Sequence, residues 1–188
     1  MLYKIIQSPN YSNKTRKFNS IKFLIIHYTG MQSMRASVLR LLSLKSKVSC
    51  HYLINRNGKI VQMVQDKKVA WHAGKSKWKN FKNLNNNSIG IELVNKGHKY
   101  GYQDFPQKQI RSLIKLIFVL KKKYKIKSYN ILGHSDIAPK RKIDPGERFP
   151  WSQLNKSGFG IQLKNKKVKS FKIKNKREIR NYFFKNLF

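Results

Sequence analysis

At 188 residues, 40% of them hydrophobic, the chain suits one domain with a real core and a modest appendage. Its 42 Lys and Arg against 7 Asp and Glu give a formal charge of +35, which favours polyanions and makes each acid in an apolar segment a candidate for a role. A lone cysteine excludes an intrachain disulfide framework, and no apolar stretch reaches the length of a membrane span.

The Lys excess has two readings: drift in an AT-rich coding sequence, or an anionic partner. No helix-turn-helix, glycine-cradled phosphate loop or zinc-finger spacing accompanies it, so a specific nucleic-acid partner is not expected. Weak, salt-sensitive contact with an anionic surface is the most the charge supports. Residues 1–11 are too short and too broken by Gln7, Ser8 and Pro9 for a clear secretory signal, which makes the cytoplasm the default location.

Residues 1–20 read as irregular, with a turn at Ser8-Pro9-Asn10. Ile21 to His27 is a continuous apolar run, expected as a central strand covered on both faces. Met31, Met34, Val38, Leu41 and Leu42 have helical spacing, predicting a helix from about Ser33 to Lys45. Val48 to Asn55 and Lys59 to Val64 form strands around the Asn57-Gly58 turn signal. Cys50, inside the first of these, reads as a small buried side chain. Ser88 to Val94 is another strand, with Gly90, Glu92 and Val94 on one face and Ile91 and Leu93 on the other. Asp104 and Pro106 predict a helix start, and Ile110, Leu113, Ile114, Ile117 and Leu120 its apolar stripe, through Tyr124. Tyr129 to Leu132 leads as a strand into Gly133-His134. The fold class is therefore α/β, a mixed central sheet flanked by helices.

The ordered core is expected over residues 21–154, inside a catalytic domain of residues 1–155. Residues 156–188 carry eleven Lys or Arg and one acid, Glu178, and are too short for a second domain. Partial alternation from Phe159 to Ile173 suggests a hairpin, and Ile179 to Phe188 a helical face.

His27, at a strand end, His134, after Gly133, and Asp144, before Pro145-Gly146, read as three zinc ligands from separate segments. Three protein ligands leave a fourth position for a reactive water. Each residue taken singly also has a plain reading, as a satisfied polar group or a turn residue. Glu92 and Lys142 would add a proton acceptor and an oxyanion partner.

Four segments decide between these readings. Phe23-Leu24-Ile25-Ile26-His27-Tyr28-Thr29, Ile89-Gly90-Ile91-Glu92-Leu93, Gly133-His134-Ser135-Asp136-Ile137-Ala138-Pro139 and Arg141-Lys142-Ile143-Asp144-Pro145-Gly146 resemble, in order, the signature of zinc-dependent N-acetylmuramoyl-L-alanine amidases of type 2. That group also takes in peptidoglycan recognition proteins. The resemblance implies one Zn2+ per chain held by His27, His134 and Asp144, with Glu92 as catalytic glutamate and Lys142 as catalytic-site lysine. It implies hydrolysis of the amide between N-acetylmuramic acid, including its 1,6-anhydro form, and L-alanine of the peptidoglycan stem peptide. Trp71-His72-Ala73-Gly74 and His51-Tyr52 resemble family positions near the cleft. His51, Trp71 and His72, together with Tyr28 and Asn95, are therefore expected as substrate contacts, with structural hydrogen bonding as the rival role for His51; Arg141 is either a partner for a stem-peptide carboxylate or a solvent-exposed charge. The resemblance lies nearer the envelope-type members, which favours a location outside the cytoplasm and leaves the compartment open. Oligomeric state leaves no mark in the sequence.

Two rivals are weaker. A non-catalytic peptidoglycan recognition protein commonly lacks a zinc ligand, and all three are here. A metallopeptidase of another class would carry His-Glu-x-x-His on a helix, which is absent.

Overall fold

The structure, a computed structural model, describes residues 4–161. The hairpin expected from Phe159 to Ile173 therefore lies almost wholly outside the described residues, as does the face expected from Ile179 to Phe188. The strands are β1 (Lys4–Ile5), β2 (Tyr11–Thr15), β3 (Phe23–Tyr28), β4 (Tyr52–Ile54), β5 (Ile60–Gln62), β6 (Lys68–Ala70), β7 (Lys77–Trp78), β8 (Phe81–Lys82), β9 (Ser88–Leu93) and β10 (Ile131–Gly133). The α-helices are α1 (Met34–Leu42), α2 (Gln107–Tyr124), α3 (His134–Ile137) and α4 (Trp151–Lys156).

Strands β1, β5, β4, β9, β3 and β10 form, in that order, a mixed six-stranded sheet flanked by helices. All neighbours run parallel except the β4–β5 hairpin. Its turn is the expected Asn57-Gly58, where Gly58 takes a φ of 87° that a side chain would resist.

The apolar run of β3 is buried on both faces, as a central parallel strand requires. Period-two alternation then sorts the side chains. Leu24, Ile26, Ile89, Ile91 and Leu93 pack with Ile110, Leu113, Ile117 and Leu120 of α2. Phe23 and Ile25 face the other way, toward Leu132 and Ile137, while Leu53 and Val94 meet Leu41 of α1. His27 and Glu92 belong to this second face and are register partners on β3 and β9. The parallel pairing thus brings an imidazole and a carboxylate, 65 residues apart, side by side.

Local signals set the helix starts less uniformly. Ser33 caps α1 as expected, its hydroxyl accepting from the Ala36 N–H at 3.1 Å. Asp104 does not cap α2: Pro106 holds the cap position and the Asp104 carboxylate meets Arg148 at 3.4 Å instead. The N-terminal arm is not irregular, because β1 pairs with β5 and β2 with β6. These strands are short and mostly polar, so their order comes from tertiary bonds. Ser8 Oγ donates to the Leu41 carbonyl, and Asn10 Nδ2 donates to those of Leu41, Ser43 and Val48. Among the described residues, no helix is long and apolar enough to cross a membrane.

Candidate functional site

The C-terminal ends of β3 and β9, the start of α3 and the loop after it converge on one point. His27 Nδ1 lies 3.0 Å from His134 Nδ1 and 3.0 Å from Asp144 Oδ2, and His134 Nδ1 lies 3.1 Å from Asp144 Oδ2. All three residues are buried. The backbone enforces this: Ser135 N–H donates to the Asp144 carbonyl at 2.8 Å, tying the ligand loop to α3. The Asp136 carboxylate accepts from the Gly133 N–H at 2.7 Å and fixes the turn that carries His134.

His134 Nε2 faces the Ala73 carbonyl at 3.1 Å. A carbonyl only accepts, so Nε2 carries the proton and Nδ1 turns a lone pair into the cluster. Ligands about 2.0–2.1 Å from a tetrahedral zinc lie about 3.3 Å apart, close to the spacing here. The donor set and geometry fit a single zinc ion. Burial and the neighbouring His134 push His27 down to about 4, so it stays neutral as a ligand must. Burial raises the Asp144 carboxyl, and the two facing imidazoles more than reverse this, so it stays ionised.

These three residues line a cavity of about 350 Å³ together with Glu92, Lys142, Tyr28, Trp71, His72 and Arg141. Glu92 Oε2 is buried with no hydrogen-bond partner among the described residues. Burial, and then the charge of Asp144, raise the Glu92 carboxyl to about 8, with Lys142 opposing. At neutral pH this carboxyl therefore holds its proton in the metal-free protein, and a cation bound at the neighbouring ligand cluster would favour its charged form and free it as a base.

The expected substrate contacts divide. Tyr28 and Trp71 reach the cavity. Arg141 reaches it too, but its Nη2 donates to the carbonyls of Ala73 at 2.8 Å and Lys75 at 3.0 Å, so that part of the fork holds the loop beside His134. His72 faces the cavity while both of its ring nitrogens have protein partners. His51 and Asn95 do not line the cavity. His51 is fully buried: Nδ1 accepts from the Gly90 N–H and Nε2 faces the Lys68 carbonyl, so it braces β9 against β6. Asn95 is buried as well, its amide donating to the Gln103 carbonyl and its oxygen accepting from Gly97 N–H, which pins the 95–103 loop.

Three residues were not anticipated. Asn85 Oδ1 accepts from the N–H groups of His72 and Ala73, at 3.1 and 2.7 Å, and so shapes the Trp71–Gly74 loop. In sequence, Asn85 sits in an asparagine-rich stretch that marks only a polar loop. Ser37 and Arg40 of α1 extend the cavity wall, with no sequence signal beyond a polar helix face.

The buried histidines carry a pH prediction. Burial, then the charge of Arg16, lower His51 to about 3. Its folded pKa thus lies below the unfolded value near 6.5, and unfolding takes up a proton whenever the pH is under 6.5. The stability tied to neutral His51 is complete above that pH and falls by up to about 1.4 kcal/mol per pH unit below it. Metal-free protein should show a lower urea midpoint at pH 5 than at pH 7.5, and His51→Gln should show a shallower slope. Equal slopes for the two proteins would remove His51 from the account.

Comparison with known proteins agrees with this geometry. The family model described as N-acetylmuramoyl-L-alanine amidase matches residues 17–147. N-acetylmuramoyl-L-alanine amidase AmiD of Escherichia coli is 40% identical over 174 residues, covering 83% of this chain and 62% of the relative. The 1,6-anhydro-N-acetylmuramyl-L-alanine amidase AmpD of Haemophilus influenzae is 45% identical over 108 residues, 57% of this chain and 56% of the relative. A solved complex of E. coli AmiD with the substrate anhydro-N-acetylmuramic acid-L-Ala-D-gamma-Glu-L-Lys superposes with a TM-score of 0.71 at 37% identity, covering 82% of this chain and 63% of that one. The chain therefore spans less than two thirds of the length of these relatives.

Proposed function

Since the chain belongs to the N-acetylmuramoyl-L-alanine amidase family, we propose that it hydrolyses the amide joining N-acetylmuramic acid, in reducing or 1,6-anhydro form, to L-alanine of the peptidoglycan stem peptide. The observation that carries this is the meeting, in one cavity, of three converging ligand atoms with the unpartnered Oε2 of Glu92. Zinc held by His27, His134 and Asp144 would supply Lewis acidity, polarising a carbonyl and making water acidic near neutral pH.

The chain's own groups do the rest. Glu92 accepts the proton of the attacking water and then delivers it to the leaving nitrogen, which would otherwise depart as an anion. The Lys142 ammonium lies in the same wall and offers positive charge to the carbonyl oxygen as it becomes an oxyanion. Tyr28 and Trp71 present aromatic surface to the sugar or peptide flanking the scissile bond. Catalysis belongs to residues 1–155, with 156–188 as a basic extension suited to weak contact with anionic wall or membrane material.

Mass spectrometry of the products from a defined anhydro-muropeptide and its reducing-sugar counterpart tests this. The expected pair is free stem peptide plus intact sugar. Intact muropeptide after incubation with the zinc-loaded protein would overturn the assignment, as would cleavage at another amide.

A further inference from the structure

His27 could satisfy its neighbours in either neutral tautomer. With the proton on Nδ1 it would donate to Asp144 Oδ2, 3.0 Å away, and block the ligand position. With the proton on Nε2 it donates outward and leaves the Nδ1 lone pair for a metal. The side facing away from the cluster decides between them.

That side is a chain of three bonds. His27 Nε2 lies 3.0 Å from His72 Nδ1, His72 Nε2 lies 3.1 Å from Ser88 Oγ, and Ser88 Oγ lies 2.6 Å from the Leu84 carbonyl. The final carbonyl has no proton to give, so the serine hydroxyl donates to it. Ser88 has one hydroxyl proton, so toward His72 it can only accept. His72 therefore carries its proton on Nε2 and presents a bare Nδ1 to His27. The His27 proton must then sit on Nε2. A backbone carbonyl at the end of β9's approach loop sets the tautomer of a residue on β3, through two side chains.

The backbone around His72 is built for this. Asn85 accepts from the His72 N–H and fixes the residue's position on its loop. Gly90 lies under the ring, and a β-carbon there would overlap the His72 imidazole. Since Gly90 sits between Ile89 and Ile91 in the strand that carries Glu92, its missing side chain is the space the ring occupies.

We propose that His72 is a positioning residue that holds His27 in the Nε2–H tautomer and so presets Nδ1 as a zinc ligand. It rests on the zinc reading given under Proposed function. Outward partners of ligating histidines act in this way generally, and losing one weakens metal binding about 10–100-fold.

The test has two readouts that need no substrate. In the metal-free, 15N-histidine-labelled protein, long-range proton–nitrogen spectra should show His27 as the Nε2–H tautomer. In competition with a chromophoric chelator, His72→Phe should bind zinc about 10–100-fold more weakly. His72→Gln, which can accept from His27 and donate to Ser88, should stay within a few-fold of wild type. Gly90→Ala should reproduce the loss by displacing the ring. An Nδ1–H His27 in the wild-type protein would overturn the proposal, and so would full zinc affinity in His72→Phe. If the wild-type protein took up no zinc at all, the hydrolase reading would fail, while the tautomer spectrum would still report separately on His72.

Discussion

Glu92→Gln will bind zinc at one equivalent per chain and lower kcat by about a thousandfold. The two side chains are nearly isosteric, so the cavity and the ligand cluster beside it are preserved. What disappears is the capacity to take a proton from water and return one to the departing nitrogen. General acid–base groups contribute about 10²–10⁴ in rate, and a thousandfold corresponds to about 4 kcal/mol of barrier. A second consequence has the opposite sign. The Glu92 carboxyl is raised to about 8 in the folded protein, above its unfolded value, because burial and Asp144 disfavour its charge. Unfolding then releases a proton at neutral pH, and holding the buried carboxyl protonated destabilises the fold there by an amount that grows as pH rises toward the folded pKa. Glu92→Gln removes that burden, so the metal-free variant should be more stable than wild type at pH 7.5, by on the order of 1 kcal/mol. Calorimetry and metal analysis beside a turnover assay separate the effects. Turnover near wild type would end the proton-transfer role, and a stability loss would show that Oε2 has a structural partner.

The site was legible where chemistry coincides with local pattern. His27 ends an apolar run that can only be a buried strand, and Glu92 interrupts another, so both ionisable groups stood out against their surroundings. Their adjacency did not, because the register of two parallel strands is set by packing and not by any nearby turn. The histidines of the cleft show the boundary more sharply. His51 and His72 sit in similar short segments, and both looked like substrate contacts. Only the folded chain shows that His51 spends both nitrogens on backbone groups while His72 leans on His27. The arm through β1 and β2 was missed for a related reason. Residues such as Ser12, Asn13 and Lys14 carry no strand pattern, and their order is imposed by long-range bonds from Ser8, Asn10 and Arg16. At α2, Asp104 had the right chemistry for a cap but stands two residues before the cap position, which Pro106 holds.

Asp144→Ala should abolish activity by a different route, losing the metal and keeping the fold. The carboxylate is the one anionic ligand of the cluster, and without it two neutral imidazoles remain. Loss of an inner ligand exceeds the 10–100-fold effect of losing an outer partner, so affinity should fall by about a thousandfold or more. After dialysis against a chelator the variant should hold well under one-tenth of an equivalent of zinc, and added zinc at micromolar concentration should not restore turnover. Wild type treated in the same way should lose activity and regain it with zinc. The stability readout distinguishes ligand loss from misfolding. Zinc at 1,000 times its Kd stabilises wild type by about 4 kcal/mol, an increment the variant forfeits. In the metal-free state a smaller difference remains. The His27 and His134 imidazoles hold the Asp144 carboxyl below its ordinary value, so the ionised carboxylate contributes stability there that Asp144→Ala loses; the Glu92 carboxyl should then titrate lower than in wild type, which offsets part of the loss. Metal-free Asp144→Ala should therefore unfold at a somewhat lower urea concentration than metal-free wild type, with an unchanged circular dichroism spectrum before the transition. A variant that retains tight zinc and full turnover would show that the ion sits elsewhere, and the hydrolase reading of this cavity would have to be abandoned.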